Sequence, residues 1–154
     1  MGKVISINIS TEKGTIKKPV QMAEFIVDHG IKGDAHAKNW HRQISLLADE
    51  SVDKMRNTAK DNAFSFLKPG VFAENITTEG IKLSTLPVGT RLIIGDSIQE
   101  VTQIGKECHK GCEIRNIVGD CIMPREGVFT KVIKSGIVKV NDLIEIVNDG
   151  GRNE

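Results

Sequence analysis

Short stretches in which apolar and polar side chains alternate recur along most of the chain. Residues 3–9 alternate with a period of two, which is the pattern of a half-buried strand. Similar segments lie at 91–104 and 128–147, and Gly95-Asp96 in the first of them predicts a hairpin turn. Strands that recur every eight to twelve residues or so, separated by glycine turns, are typical of barrels and sandwiches. The pattern therefore predicts a mainly β barrel or sandwich.

One segment has helical rather than strand periodicity. From Asp49 onward, apolar residues recur at spacings of three and four: Val52, Met55, Ala59 and Ala63. Asp49 is a suitable N-cap, because its carboxylate can accept hydrogen bonds from the first free N–H groups of a helix. We therefore expect one helix of several turns here, and one or two short helices in the whole fold.

Two polar segments stand out between the predicted strands. The first is a loop that carries Asp34, His36, Trp40, His41, Arg42 and Gln43. A solvated connection and a binding loop are equally consistent with it, since loops often hold binding groups. The second is the pair Glu74 and Asn75 within a strand-like run. The pattern around Glu74 and Asn75 slightly favours solvent-facing side chains over side chains that line a pocket.

Composition narrows the class of protein. The 154 residues fit one domain, 1–154, that is large enough to bury a core. The 21 Lys and Arg residues against 20 Asp and Glu residues leave a net charge of +1, so we expect neither a nucleic-acid partner nor a membrane surface. The sequence has neither a signal-peptide pattern nor an apolar stretch long enough to cross a bilayer, and its three cysteines are an odd number. These features predict a soluble cytoplasmic protein with reduced thiols.

All three cysteines lie between residues 105 and 129, at Cys108, Cys112 and Cys121. A zinc site is one interpretation, but C-x3-C without a second pair departs from the usual structural spacing. A reactive thiolate at Cys121 is another, since a cation such as Arg125 lowers the pKa of a nearby thiol. Burial as an inert core residue is the third, because free cysteine is often buried.

Four segments in chain order resemble one known family. They are G-D-A-H-A-K-N-W-H-R-Q-I-S-L-L, G-V-F-A-E-N-I-T, C-I-M-P-R-E-G-V-F and G-I-V-K-V-N-D-L-I-E-I. Together they resemble the MOSC domain, named for the C-terminal domain of molybdenum cofactor sulfurases, in its small stand-alone bacterial form. The resemblance covers nearly the whole chain. It implies a strongly bent, closed β-barrel, a molybdopterin-type cofactor and one functional cysteine, which falls on Cys121.

The resemblance implies two roles for Cys121. It carries sulfur as a persulfide, or it ligates molybdenum in a reductase of N-hydroxylated compounds. A non-catalytic adaptor in cofactor synthesis is a third hypothesis, from another class. Cys108 and Cys112 are additional to the family cysteine and are candidate accessory thiols.

The expected cofactor site combines cations with hydrogen-bonding groups. Arg42 and Arg125 are the candidates for the pterin phosphate, because guanidinium groups pair with phosphate oxygens. Gln43 and Asn75 are candidates for hydrogen bonds to the pterin or to oxo groups. The other residues expected in the walls of the pocket are Asp34, His36 and Glu74.

The resemblance also implies external partners. The chain contains no pyridoxal-phosphate desulfurase domain, so a sulfur carrier needs a cysteine desulfurase or another cofactor-biosynthesis enzyme as donor. A reductase needs an electron-transfer protein for the same reason.

Overall fold

The computed structural model describes residues 2–12, 16–58, 74–105 and 127–147, with side chains in the first helix described as far as Asp53. Cys108, Cys112, Cys121 and Arg125 lie outside the described residues, so their predicted roles stay predictions.

Eleven strands, one α-helix and one 3₁₀ turn form the described part of the chain. In order they are β1 (Gly2–Ile9), β2 (Lys18–Val20), β3 (Met22–Ile26), β4 (Gly30–Ile31), β5 (Ile44–Ala48), α1 (Asp49–Thr58), β6 (Ile76–Glu79), the 3₁₀ turn (Leu83–Thr85), β7 (Arg91–Ile94), β8 (Ser97–Ile104), β9 (Val128–Lys134), β10 (Gly136–Lys139) and β11 (Leu143–Ile146). This agrees with the expected mainly β fold with one or two short helices.

Seven of these strands close into a β-barrel. Their order around the barrel is β11-β7-β8-β9-β5-β6-β1, and β2 adds to the outer side of β1. Antiparallel pairing of β1 with β11, with Gly2 opposite Ile144 and Lys3 opposite Leu143, completes the ring. The prediction of a closed barrel is thus confirmed, and the sandwich is excluded.

The predicted hairpin at Gly95-Asp96 joins β7 to β8. Ile94 lies opposite Ser97, and Gly95 has a φ of 56°. Glycine adopts this left-handed conformation without the steric cost that a side chain brings.

One pair in the barrel is parallel. Strands β5 and β6 run in the same direction, with Leu46 opposite Ile76. A parallel pair needs a long crossover connection, and residues 49–75, which begin with α1, supply it. No helix in the described part of the chain has the length and apolar character needed to cross a membrane.

The barrel interior is aliphatic over most of its length and polar in two places. Fully buried aliphatic residues from facing strands form the core, including Ile7, Ile44, Leu46, Ile76, Leu92, Val101 and Ile144. Each such side chain contributes about 1.5–3 kcal/mol by leaving water.

One buried polar row crosses β8 and β9. The Thr130 hydroxyl donates to Gln99 Oε1 at 2.7 Å, and Gln99 Nε2 donates to Ser97 Oγ at 3.2 Å. The Ser97 hydroxyl ends the row on the Ile94 carbonyl at 2.8 Å. The other buried polar region lies between β1, β5 and β6, next to the loop before β5.

Candidate functional site

The loop between β4 and β5, residues 32–43, is held closed at its base. We call it the site loop. Gly30 has a φ of 119°, and a Cβ atom built there would lie 3.1 Å from the Gln43 carbonyl oxygen. The two ends of the loop therefore touch, at a position that favours glycine in both conformation and space.

The first half of the site loop is anchored by a buried lysine. Lys17 is 1% exposed, and its Nζ donates to Asp34 Oδ1 at 2.7 Å and to Ser10 Oγ at 3.2 Å. It also lies 3.1 Å from His36 Nδ1. We call these four residues the buried charge cluster. A buried ion pair persists only when its polar atoms are well satisfied, and here each ion has several partners.

The pKa of Asp34 reflects opposing effects. Burial of the carboxyl raises the pKa, whereas the hydrogen bond and the positive charge of Lys17 lower it. Hydrogen bonds from the Ser10 backbone N–H and from the Asn75 amide lower it further. The result is a pKa below its ordinary value, so Asp34 is a carboxylate at neutral pH.

Glu74 and Asn75 are buried, with 0% and 1% of their surfaces exposed. The expectation from local pattern that they face solvent is wrong, because they lie where β6 enters between β5 and β1. Asn75 Oδ1 accepts from the Ser45 backbone N–H at 2.9 Å, and its Nδ2 donates to the Asn8 carbonyl at 3.1 Å. The Glu74 carboxylate accepts from the Thr77 hydroxyl at 2.8 Å. The pair therefore cross-links strands of the barrel, and the Asn75 amide also hydrogen-bonds Asp34.

The second half of the site loop is held by ring contacts. Lys38 Nζ lies 4.3 Å from the centre of the Trp40 ring, and Arg42 Cζ lies 4.7 Å from the same centre. The Arg42 guanidinium also lies 5.7 Å from the Phe129 ring. We call these four residues the cation–aromatic stack. Cations over aromatic faces are attracted by the ring quadrupole.

Arg42 has an unsatisfied donor within the stack. Its Nε is buried and finds no hydrogen-bond partner among the described residues. An unpaired buried N–H costs roughly 1–3 kcal/mol of desolvation. Lys38 and Arg42 also place two positive charges against one ring, with no carboxylate described beside them in an ion pair. An anionic acceptor would relieve both costs.

The two halves of the loop are connected, and the loop is tied to the barrel. Trp40 Nε1 donates to the His36 carbonyl at 3.0 Å, which joins the stack to the buried charge cluster. His41 Nε2 lies 3.0 Å from Gln103 Oε1 on β8. Gln43 Oε1 accepts from the Val132 backbone N–H on β9 at 2.9 Å.

The structure thus brings several of the predicted site residues together. Asp34 and His36 both contact Lys17, and the Asn75 amide hydrogen-bonds Asp34. Arg42 lies further along the same loop. Gln43 is engaged with β9, and its predicted contact with a cofactor stays a prediction.

The sequence analysis did not identify Lys17 as a candidate site residue. No feature of the sequence distinguishes Lys17 from its exposed neighbour Lys18. Among the described residues, no group of three or more His, Cys, Asp or Glu side chains is arranged to hold a metal ion.

The fold and this loop define a class: a small closed β-barrel with a cationic, aromatic-lined site at the entry to one strand. The model of the MOSC domain family matches residues 32–145. The chain therefore belongs to the MOSC domain family, and the resemblance noted in its sequence is confirmed. No curated protein matches the chain significantly.

Solved structures share the fold at low sequence identity. The YuaD protein from Bacillus subtilis is 19% identical with a TM-score of 0.73, over 95% of this chain and 96% of that one. YiiM from Escherichia coli is 18% identical with a TM-score of 0.72, over 96% and 70%. YiiM from Geobacillus stearothermophilus is 16% identical with a TM-score of 0.70, over 99% and 78%. At these identities the likeness concerns the fold alone.

Proposed function

We propose that this protein binds a molybdopterin-type cofactor and acts in the transfer of sulfur or of the cofactor itself. Membership of the MOSC domain family supports a role related to the molybdenum cofactor. The observation that carries the proposal for this chain is Arg42, whose buried Nε–H lacks a described partner and whose guanidinium lies near the rings of Trp40 and Phe129.

The donor set of the site loop fits the phosphate end of such a cofactor. A guanidinium offers paired N–H donors that match two phosphate oxygens, and Lys38 adds a second positive charge. Asp34 is compensated by Lys17 and does not repel an anion in the way that a free carboxylate would. In this proposal Arg42 and His36 face the ligand, while Asp34, Glu74, Gln43 and Asn75 support the walls. Arg125 remains a proposed second phosphate partner.

Cys121 is the proposed sulfur carrier, on the basis of the family motif C-I-M-P-R-E-G-V-F. Its thiolate attacks the terminal sulfur of a donor persulfide, and a new Sγ–S bond forms as the donor's S–S bond breaks. The electron pair of the broken bond leaves with the donor as a thiolate, so the exchange needs no external oxidant or reductant. The donor would be a cysteine desulfurase or another cofactor-biosynthesis enzyme.

The cofactor part is tested by the molybdenum and pterin content of protein purified from molybdate-replete cells. Wild type should carry both, and Arg42→Met should carry at least tenfold less, in line with loss of a charge-assisted pair of about 1.5–3 kcal/mol. Arg91→Met is the matched control, since Arg91 is an exposed arginine paired with Glu100 on the barrel surface. Wild type free of both molybdenum and pterin would overturn the proposal.

The sulfur-transfer part is tested by intact mass. After incubation with a desulfurase and cysteine, wild type should gain the mass of one sulfur atom and Cys121→Ser should gain none. If Cys121→Ser gains the same mass as wild type, Cys121 is not the carrier. Cofactor-loaded protein that gains no sulfur but reduces an N-hydroxylated compound with a chemical electron donor would instead favour the reductase alternative, in which Cys121 ligates molybdenum.

A further inference from the structure

Lys17 contacts two different kinds of group inside the buried charge cluster. Its Nζ lies 2.7 Å from the Asp34 carboxylate and 3.1 Å from the imidazole Nδ1 of His36. The side chains of Lys17 and Asp34 are completely buried, whereas 26% of the His36 side chain is exposed. The lysine therefore acts on the inner edge of a ring whose remainder approaches the surface.

The chemistry of these contacts selects one protonation state of the ring. A lysine ammonium has three donors and no acceptor, so an imidazole nitrogen at hydrogen-bond distance from it must accept. The adjacent carboxylate of Asp34 favours the charged form of Lys17 by direct pairing. We propose that Lys17 is a positioning residue that holds His36 as the neutral tautomer with its proton on Nε2.

The alternative states of His36 conflict with the geometry. A proton on Nδ1, in the other neutral tautomer or in the imidazolium, would point at the Lys17 ammonium. Asp34 Oδ2 offers no compensation, because it lies 3.8 Å from Nδ1, beyond hydrogen-bond distance. That oxygen instead accepts the backbone N–H of His36 at 3.2 Å.

The tautomer determines what His36 can recognise. With Nδ1 occupied by Lys17, the ring presents an N–H donor at Nε2 and is neither a base nor a metal ligand at that nitrogen. The inference that this tautomer recognises a molybdopterin-type ligand rests on the proposed function. It implies that an acceptor oxygen of the molybdopterin-type ligand that reached this ring would accept its hydrogen bond from Nε2 of His36, while Arg42 supplies the positive charge.

The tautomer can be measured on cofactor-free protein by two-bond proton–nitrogen correlation spectra of the imidazole rings at pH 7. The chain has four histidines, and His36→Gln identifies the signals of His36 by their disappearance. We expect an unprotonated Nδ1 and a protonated Nε2 in wild type. A protonated Nδ1, in a neutral ring or in an imidazolium, would overturn the proposal.

Variants of Lys17 test whether this residue sets the state. Lys17→Arg should retain the single tautomer, because a guanidinium also offers only donors. Folded Lys17→Met should lose it, giving a mixture of tautomers or an imidazolium. Lys18→Met, at the exposed neighbouring position, should match wild type. Folded Lys17→Met with an unchanged His36 spectrum would show that Lys17 is not the positioning residue.

Two features keep the test decisive. If Lys17→Met does not fold, the wild-type spectrum still confirms or overturns the tautomer, and Lys17→Arg still tests the donor requirement. Because these spectra need no cofactor, failure of the tautomer assignment and failure of molybdopterin binding are separate results.

Discussion

The two halves of the site loop differ in how their positively charged side chains are surrounded. In the buried charge cluster, the Lys17 ammonium is fully enclosed and has a carboxylate, a hydroxyl and an imidazole nitrogen as partners. In the cation–aromatic stack, Arg42 has ring faces around it and an N–H without a described acceptor. The polar atoms of the first half already have partners in the folded protein, whereas in the proposed function an anion would supply the acceptor that the second half lacks.

This difference distinguishes residues that stabilise the folded site from residues that are available to bind a ligand. A satisfied buried pair contributes to folding, and removal of one partner leaves the other as an uncompensated charge. An arginine with an unpaired donor contributes little to folding and retains its hydrogen-bonding capacity for a ligand. Stability and binding should therefore respond in opposite order to substitutions in the two halves.

The largest effect is expected in the buried charge cluster. Lys17→Met should lower the free energy of unfolding by about 3–5 kcal/mol, because Asp34 is left as a buried, unpaired carboxylate. Urea denaturation measures this loss. The control is Lys3→Met, which breaks the half-exposed Lys3–Glu79 pair at 3.4 Å and should cost no more than about 1 kcal/mol. Equal losses in the two variants would contradict the assignment of Lys17 as a structural anchor.

A smaller effect is expected beside the cluster, at Asn75. Asn75→Ala removes the acceptor of the Ser45 N–H and the donor to the Asn8 carbonyl, so it should cost roughly 1–3 kcal/mol. Thermal or urea denaturation gives the value. Asn39→Ala, at an exposed position of the same site loop, should change stability by less than about 0.5 kcal/mol. A cost at Asn75 as small as at Asn39 would mean that the barrel does not depend on these hydrogen bonds.

A further change should appear on acidification. Since the pKa of Asp34 is lowered in the folded state, its stabilisation is present above the unfolded value of about 3.9 and is lost as pH falls through the folded value. Wild type should therefore lose stability more steeply below about pH 4 than Asp34→Asn, which has no titrating carboxyl at this position. Denaturation midpoints of both proteins, measured across this pH range, test this expectation. Parallel dependences of stability on pH for wild type and Asp34→Asn would contradict the lowered pKa of Asp34.

The smallest effect on stability is expected in the cation–aromatic stack. Arg42→Met forfeits a cation–π contribution of about 0.5–1 kcal/mol but also removes a buried unpaired N–H, so the net change should stay within about 1 kcal/mol. The same denaturation experiment measures it, with Lys38→Met as the companion from the exposed side of the stack. If Arg42→Met lowered the free energy of unfolding as much as Lys17→Met, the two halves of the site loop would not differ in the proposed way.

The fold was predictable because its signals are local. The alternation in residues 3–9 and the turn at Gly95-Asp96 each report a strand or a hairpin without knowledge of the rest of the chain. The helix that begins at Asp49 is equally local. Closure of the ring through β1 and β11 is not local, and the family resemblance rather than the periodicity predicted it.

The residue types of the site were predictable, but the contacts between its side chains were not. Asp34, His36 and Arg42 lie in one polar loop, and the family resemblance rather than the loop pattern made them candidate site residues. Lys17 was missed because Lys17 and Lys18 are chemically identical, and burial of the first depends on Asp34 in a distant part of the chain. For Glu74 and Asn75 the local pattern slightly favoured solvent, because alternation identifies two faces of a strand without saying what covers them. The family resemblance, not the pattern, placed the pair in the walls of the pocket.

Closure of the barrel also bears on how the protein avoids aggregation. A ring of strands has no free edge, and in the described eight-stranded sheet the exception is β2, which pairs with β1 on one side only. That strand is three residues long and has Pro19 at its centre, opposite Asn8. Proline lacks the N–H that an incoming strand would need, and its exposed neighbour Lys18 adds a charge. The short strand that leads away from the buried lysine is thus also a barrier to strand addition by other chains.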